Sequence, residues 1–354
     1  VINRSLGLHG FLFVGSAVLG LRAWTAVDEP NKKPVAAELW TGRISDLQRI
    51  EFRTDKKVVA LEPKQDDAGR FYVGTIETTT TPAPAQASAA DAGAASASPH
   101  HPAHPTPPVA EDTTPKRFIS LKKGQELADG LVNLKASRVL GKIAPDRLAE
   151  FGFDKTDTGT LKVVIAGKEH SLVLGEKTPG GSDRYVRDPD SGNAYVIAGS
   201  IANDLTSADN RLIERDFHDF GDEKVVKVVI KAGDATREIV RHAVEKDFWS
   251  RPDTPDSKDE TVSNWMTKVD RLRVTNYVET LDPAPKPEDV VVRLEFQGER
   301  GKPLGYLELT RRPATDAKEK PDYVAHSERT RWNATVLRST AEQIEQDLNS
   351  VMKP

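Results

Sequence analysis

His100-His101-x-x-His104 sets three imidazoles within a five-residue stretch. Neutral imidazole is a common ligand for zinc, copper and nickel, so the first chemistry to consider is metal binding. The cluster lies inside an Ala-, Pro-, Ser- and Thr-rich tract, Thr78 to Pro115. Such a tract offers no fixed geometry and no outer hydrogen bonds to hold a ligand set, so a solvated Pro/His segment is the expectation. Asp216-Phe-His-Asp-Phe-Gly-Asp222 gathers three acids and one His. It could hold a cation; a domain junction with its Phe residues packed and its acids wet is the simpler expectation. Thr178-Pro-Gly-Gly-Ser182 has the glycines of a phosphate cradle but lacks the following helix and Lys, and is expected to be a hairpin turn. His170, His218, His242 and His326 stand singly, where a structural or solvated role is expected.

The motifs that would name a reaction are missing. The chain contains no G-x-x-x-x-G-K-[ST], no H-E-x-x-H and no G-x-S-x-G, so any ATP hydrolysis would come from a partner. Cysteine is absent, which removes disulfides, thiolate-ligated zinc and a cysteine nucleophile. Fifty Lys and Arg against 54 Asp and Glu give a net charge of −4 with both signs well mixed. That leaves no basic footprint for nucleic acid. No catalytic residue, cofactor site or metal site is assigned from the sequence.

The elements that would position any site form a repeating plan. Gly69 to Val73 resembles Lys246 to Ser250, 177 residues on, while Leu127 to Leu140 resembles Trp265 to Val278, 138 residues on. Tyr185-Val-Arg187 and Tyr323-Val-Ala325 share the 138 spacing. The 39-residue difference matches the low-complexity tract Thr78 to Pro115. Removing that insert brings the halves into one register, which is the mark of a duplicated domain rather than a solenoid. The expected organisation is an anchor over 1–27, a linker over 28–43, a first repeat over 44–217 containing a disordered insert over 78–115, and a second repeat over 218–354.

Leu6 to Ala26 is an apolar stretch of 21 residues, about the ~20 that span a bilayer as a helix. Arg22 can snorkel near its end, and Trp24 falls where an interfacial aromatic would sit. A cleavable signal would end in a small-x-small site; Trp24 spoils that pattern for cleavage after Ala26, so an uncleaved anchor is expected. Gly10, Gly15, Ser16 and Gly20 supply a small-residue face for packing against other membrane helices. The mild charge balance around the helix favours the bulk of the chain outside the cytoplasm.

Within each repeat the alternation of apolar residues predicts a mainly antiparallel sheet with helices on one side, an α+β class. Helices are expected over Gly124 to Leu140, Ile201 to Leu212, Asp259 to Val278 and Thr335 to Met352. Strands are expected over Leu47 to Phe52, Lys57 to Leu61, Phe71 to Ile76, Thr160 to Ala166, His170 to Gly175, Asp183 to Arg187 and Ala194 to Ile197. The second half repeats them at Val225 to Lys231, Arg237 to Ala243, Phe248-Trp249, Val290 to Gln297, Leu304 to Thr310 and Tyr323 to His326.

Leu148-Ala-Glu-Phe-Gly-Phe-Asp154, Leu174-Gly-Glu-Lys-Thr-Pro-Gly-Gly181, Tyr185-Val-Arg187 and the step Asp216-Phe-x-x-Phe220 resemble the recurring core of the domain of unknown function 4340 family. In the second half the hairpin counterpart, Leu307-Glu-Leu-Thr-Arg311, is degenerate, and the long insert departs from the family pattern. The resemblance implies a bacterial protein of the inner membrane, single-pass, with its bulk in the periplasm. It implies an accessory role beside an ABC transporter of the gliding-motility or ABC-2 type. The partners would be the permease and, through it, an ATPase subunit; no catalytic residue carries over. Two other functions stay open: a periplasmic ligand-binding or hydrolytic protein with its site between the repeats, and a cell-envelope scaffold.

Overall fold

The computed structural model describes residues 36–78, 115–155, 157–242, 247–281, 284–312 and 321–353. The anchor expected over 1–27, with Gly10, Gly15, Ser16 and Gly20, lies outside the described residues, as does the insert between Thr78 and Pro115 with its His cluster. Among the described residues no helix is long and apolar enough to cross a membrane.

The first sheet is built from β1 (Ala37–Glu38), β2 (Leu47–Arg53), β3 (Lys57–Asp66), β4 (Gly69–Thr78), β5 (Lys116–Ser120), β6 (Lys135–Lys142), β7 (Thr160–Ile165), β8 (Lys168–Lys177), β9 (Arg184–Arg187) and β10 (Asn193–Ile197). The second holds β11 (Lys227–Ala232), β12 (Ala235–His242), β13 (Phe248–Arg251), β14 (Thr254–Lys258), β15 (Val274–Val278), β16 (Val290–Gln297), β17 (Pro303–Arg312), β18 (Asp322–Ser327) and β19 (Asn333–Val336). The helices are α1 (Lys122–Val132), α2 (Gly199–Thr206), α3 (Ala208–Arg211), α4 (Glu260–Val269) and α5 (Arg338–Val351).

The spatial order is β1-β6-β10-β9-β8-β7-β2-β3-β4-β5 in one sheet and β15-β19-β18-β17-β16-β11-β12-β13-β14 in the other. Nine consecutive strands therefore occur in the same order twice, and paired strands are antiparallel throughout. Register repeats as well: Ile50 pairs with Leu61 and Val163, and Val228 pairs with Ile239 and Phe296. The fold is α+β, as the apolar alternation predicts.

That alternation sorts each sheet into two faces. On β2, Leu47, Ile50 and Phe52 are buried, and on β16 so are Val292, Leu294 and Phe296. The opposite faces carry cross-strand ion pairs, Arg49 to Glu62 at 2.8 Å and Arg293 to Glu308 at 3.1 Å. Such exposed pairs contribute roughly 0.2–1 kcal/mol each; the sheets are held mainly by their buried faces. Helices cover those faces. Leu127, Ala128, Leu131 and Val132 of α1 are at most 1% exposed. In the second half, Trp265 of α4 is fully buried and its indole donates to the Ile344 carbonyl of α5 at 2.9 Å.

Several expected boundaries change. The helices expected over Gly124 to Leu140 and Asp259 to Val278 are each a helix followed by a strand: α1 then β6, α4 then β15. The chain leaves helical geometry at Asn133 (φ −122°, ψ 61°). Leu134 is buried beyond the helix end, whereas Val139 on β6 is 42% exposed. The β-branched run Val274-Thr275 and Val278 suits the sheet, where β15 finds β19 as its partner. Ile201 to Leu212 splits into α2 and α3 at Ser207, and Thr335 and Val336 belong to β19 before α5 begins. The expected linker over 28–43 contributes β1, which pairs with β6 at the edge of the first sheet and has no counterpart among the described strands of the second. Strands β5 and β14 are additional to the expected set; they occupy the same place in the two orders.

Candidate functional site

The second sheet begins in the chain that joins it to the first. Glu214 donates its amide to the Ile119 carbonyl of β5 at 2.8 Å, and the next residue, Arg215, accepts from the Val274 amide of β15 at 3.1 Å. The joining segment thus lies between the edge strands of both sheets. Side chains close over it. Tyr277 Oη donates to the Glu214 carbonyl at 3.0 Å, Arg329 Nη2 meets Glu214 Oε2 at 2.8 Å, and Ser327 Oγ donates to the Phe217 carbonyl at 2.7 Å. Burial pushes the Tyr277 phenol far up, so it stays a donor. Across the join, Arg331 pairs with Asp66 at 3.1 Å, Arg117 pairs with Glu279, and the Arg117 guanidinium stacks over the Trp332 ring at 5.0 Å. A ligand site between the repeats would have to occupy this filled space.

The Asp216–Asp222 segment packs as expected of a junction. Phe217 is buried, while Asp216 and Asp219 are mostly exposed. His218 stacks on Phe220 at 4.6 Å and pairs through Nδ1 with Glu328 at 3.0 Å. Among the described residues no group of three or more His, Cys, Asp or Glu is arranged to hold a metal ion. The other singled-out residues lie apart. His170 stacks on Trp40 at 4.7 Å in the first sheet, His242 stacks on Phe248, and His326 Nδ1 bonds with Tyr306 Oη at 2.8 Å. Thr178 to Ser182 forms the turn between β8 and β9, with the Thr178 amide donating to the Asp183 carbonyl at 2.8 Å.

Asp222 ends this segment on the wall of a cavity of about 460 Å³ between α4 and the second sheet, which Asp270, Arg241, Phe220 and Trp249 also line. Arg241 Nε bonds Asp247 Oδ1 at 2.7 Å; this carboxylate raises the guanidinium pKa further and is itself held below its usual range. Arg241 is 11% exposed at its side chain, and its enclosed Nη1 has no partner among the described residues. An unpaired buried donor costs about 1–3 kcal/mol. Asp270 caps the C-terminal end of α4. The cavity leaves it open to water, yet protein crowds it, and that desolvation, with the charge of Asp222, pushes its carboxyl up to about 6. Among the described residues neither the Asp222 nor the Asp270 carboxylate has a hydrogen-bonded or ion-paired partner, while Arg273 Nη1 donates to the Asp270 carbonyl at 2.7 Å.

The first repeat shows that the fold does not require these charges. By strand order and register, Asp222, Arg241 and Asp270 stand where the first repeat has Ile44, Pro63 and Val132. Val132 is 1% exposed there. Arg241, Asp247 and Asp270 are the residues that sequence reasoning missed. Position-by-position comparison of the halves carried the signal at two of them, where Pro63 and Val132 are exchanged for Arg241 and Asp270.

Because the folded protein holds the Asp270 proton more tightly than the unfolded chain, stability falls as pH rises from 3.8 toward about 6, and the loss persists above that. Asp270→Asn should therefore raise the midpoint of thermal unfolding at pH 7, by about 2 °C once solvent screening is allowed for. The difference should vanish near pH 3.5. Calorimetry at both pH values checks it; a lower midpoint at pH 7 would contradict the assigned environment.

Fold and cavity define a class: an α+β protein of two like-ordered antiparallel sheets joined at their edges, with a mixed-charge cavity in the second. Residues 122–290 match the family model described as "Domain of unknown function (DUF4340)". The match runs from α1 across the join to the start of β16 and contains every segment on which the resemblance rests. No curated protein matches the chain, and no solved structure does.

Proposed function

We propose that the protein is a non-catalytic accessory subunit of a bacterial membrane complex, an ABC transporter of the gliding-motility or ABC-2 type. Residues 1–27 would form a single membrane span packed through Gly10, Gly15, Ser16 and Gly20 against permease helices. The two sheets, as copies of one duplicated domain, would stand on the periplasmic side as a docking or stalk module. The observation that carries this is the join. The Glu214-Arg215 segment bonded to β5 and β15 at once, with Arg329, Tyr277 and Arg331 locked over it, makes a stiff unit from two sheets. Stiffness is what a stalk needs and what a hinged binding cleft lacks. The transporter itself is suggested by the family resemblance, and the anchor by the apolar stretch Leu6 to Ala26.

Mild detergent extraction of the tagged full chain, followed by mass spectrometry, tests the proposal. A permease with an ATPase subunit should travel with it in stoichiometric amounts. Recovery of the protein without either would end this reading.

A further inference from the structure

The first sheet ends in an edge whose counterpart in the second half is already filled. The spacing that relates Ile50 to Val228 also relates Ala36, Ala37 and Glu38 to Glu214, Arg215 and Asp216. The joining segment, though not a strand, therefore stands beside β15 as β1 stands beside β6. The contacts agree: Glu38 pairs with Lys135 at 3.3 Å, and Asp216 with Arg273 at 3.4 Å. In the second half the outer side of this segment is taken by β5, whose Ile119 carbonyl accepts the Glu214 amide at 2.8 Å. In the first half β1 is the last strand of its sheet. Leu39 donates inward to the Leu134 carbonyl at 2.9 Å, so by alternation the Ala36 and Glu38 amides point outward, past the end of the sheet. Val139 stands where β15 has Tyr277. Tyr277, with β5 nearby, is 8% exposed; Val139 is 42% exposed. Arg138 and Lys142 of β6 are exposed without an ion-pair partner among the described residues, and the second half has Asn276 and Thr280 at their places. A second copy does not supply the missing strand. Its β5 is committed to its own join, and β14, at the same place in the other sheet, carries Pro255 and is exposed throughout.

We propose that the outer edge of β1 takes an extended, apolar and acidic segment of a partner protein as an added strand, in the place that β5 holds beside Glu214. Main-chain carbonyls of the segment accept from Ala36 and Glu38, an apolar side chain covers Val139, and carboxylates meet Arg138 and Lys142. Strand addition of this kind draws its affinity from main-chain hydrogen bonds and its selectivity from side chains. The inference rests on the docking reading only for the source of the segment, an extracytoplasmic part of a membrane complex.

The test uses the purified full chain and two fluorescein-labelled peptides patterned on residues 116–121, read by anisotropy. Glu-Glu-Phe-Ile-Ser-Leu, with acids in place of Lys116 and Arg117, should bind saturably and about tenfold more tightly than Lys-Arg-Phe-Ile-Ser-Leu. Glu38→Pro removes one outward amide at an edge position that tolerates proline, and should weaken the acidic peptide at least about tenfold. Glu38→Ala keeps the amide and should bind it as the unaltered protein does. Arg138→Glu with Lys142→Glu should reverse the order of the two peptides. These side chains are exposed, so the variants should keep the thermal midpoint of the parent; if Glu38→Pro does not, the charge reversal still decides. Equal binding of the two peptides, unchanged binding by a folded Glu38→Pro, or an unchanged order in the charge-reversed variant would overturn the proposal. So would self-association of the chain that Glu38→Pro abolishes, because the edge would then take a second copy. If the acidic peptide binds while no permease co-purifies, the edge stands and the transporter reading falls; a co-purifying permease without peptide binding gives the reverse.

Discussion

Arg329→Ala should lower the stability of the protein by about 3–5 kcal/mol and loosen the join between the sheets. Arg329 and Glu214 are 2.8 Å apart with side chains only 16% and 11% exposed. Removing the guanidinium leaves the Glu214 carboxylate nearly buried, with its main balancing charge gone. Breaking such a pair costs more than the pair itself contributes, because the remaining charge keeps its desolvation penalty. The position matters as much as the energy. Glu214 is the residue whose amide reaches β5 and whose carbonyl accepts from Tyr277. Calorimetry of the variant should show a single transition replaced by two, as the sheets begin to unfold separately. The double variant Glu214→Gln/Arg329→Met, which removes both charges at similar volume, should recover most of the loss. An Arg329→Ala midpoint equal to that of the unaltered protein would show that the pair does not hold the join.

Trp265→Ala should cost about 3–5 kcal/mol. Trp265 is among the largest fully buried side chains, at the centre of α4 against α5, and its indole is the donor to the Ile344 carbonyl. Alanine there leaves a cavity and removes a buried hydrogen bond; the Ile344 carbonyl keeps only its place in the helical ladder of α5. Trp265→Phe keeps most of the volume and loses the hydrogen bond, with an expected loss of about 1–2 kcal/mol beyond any packing change. The corresponding residue in the first repeat is Leu127, 1% exposed on α1; Leu127→Ala should cost about 2–5 kcal/mol. If the join makes one cooperative unit, both substitutions shift the same urea transition. A change confined to part of the transition in either variant would place a boundary between the sheets.

The strand ladder was legible because its signal is local. β7 and β16 alternate more and less buried residues at a period of two, β11 is a short continuous apolar run, and both signals survive without any knowledge of partners. The helix ends were not legible for the converse reason. From Leu127 to Val139 the apolar spacing passes from helical to alternating without a proline or glycine at the break, and only the pairing of β6 with β10 shows where one stops. β5 and β14 were hidden differently. β5 follows a low-complexity tract, and β14 reads Thr-Pro-Asp-Ser-Lys with every residue exposed. Its proline and charges are those of a blunted edge strand. In the first repeat the same position carries Phe118 and Ile119, both buried, and the Ile119 carbonyl accepts the Glu214 amide of the joining segment. The edge that continues is apolar; the edge that ends is polar.

The sequence by itself determined the class of fold, the repetition of its plan and the family resemblance, since each depends on residue types at fixed spacing along the chain. Tertiary structure decided where the two halves meet and where charge gathers. Glu214 and Arg329 are 115 positions apart in the chain. Asp222, Arg241 and Asp270 come from a short 3-10 turn, a strand and a helix end that no local pattern connects. Each of those side chains is unremarkable alone. Their meaning comes from the cavity wall they share, where crowding by protein and the charge of Asp222 push the Asp270 carboxyl up.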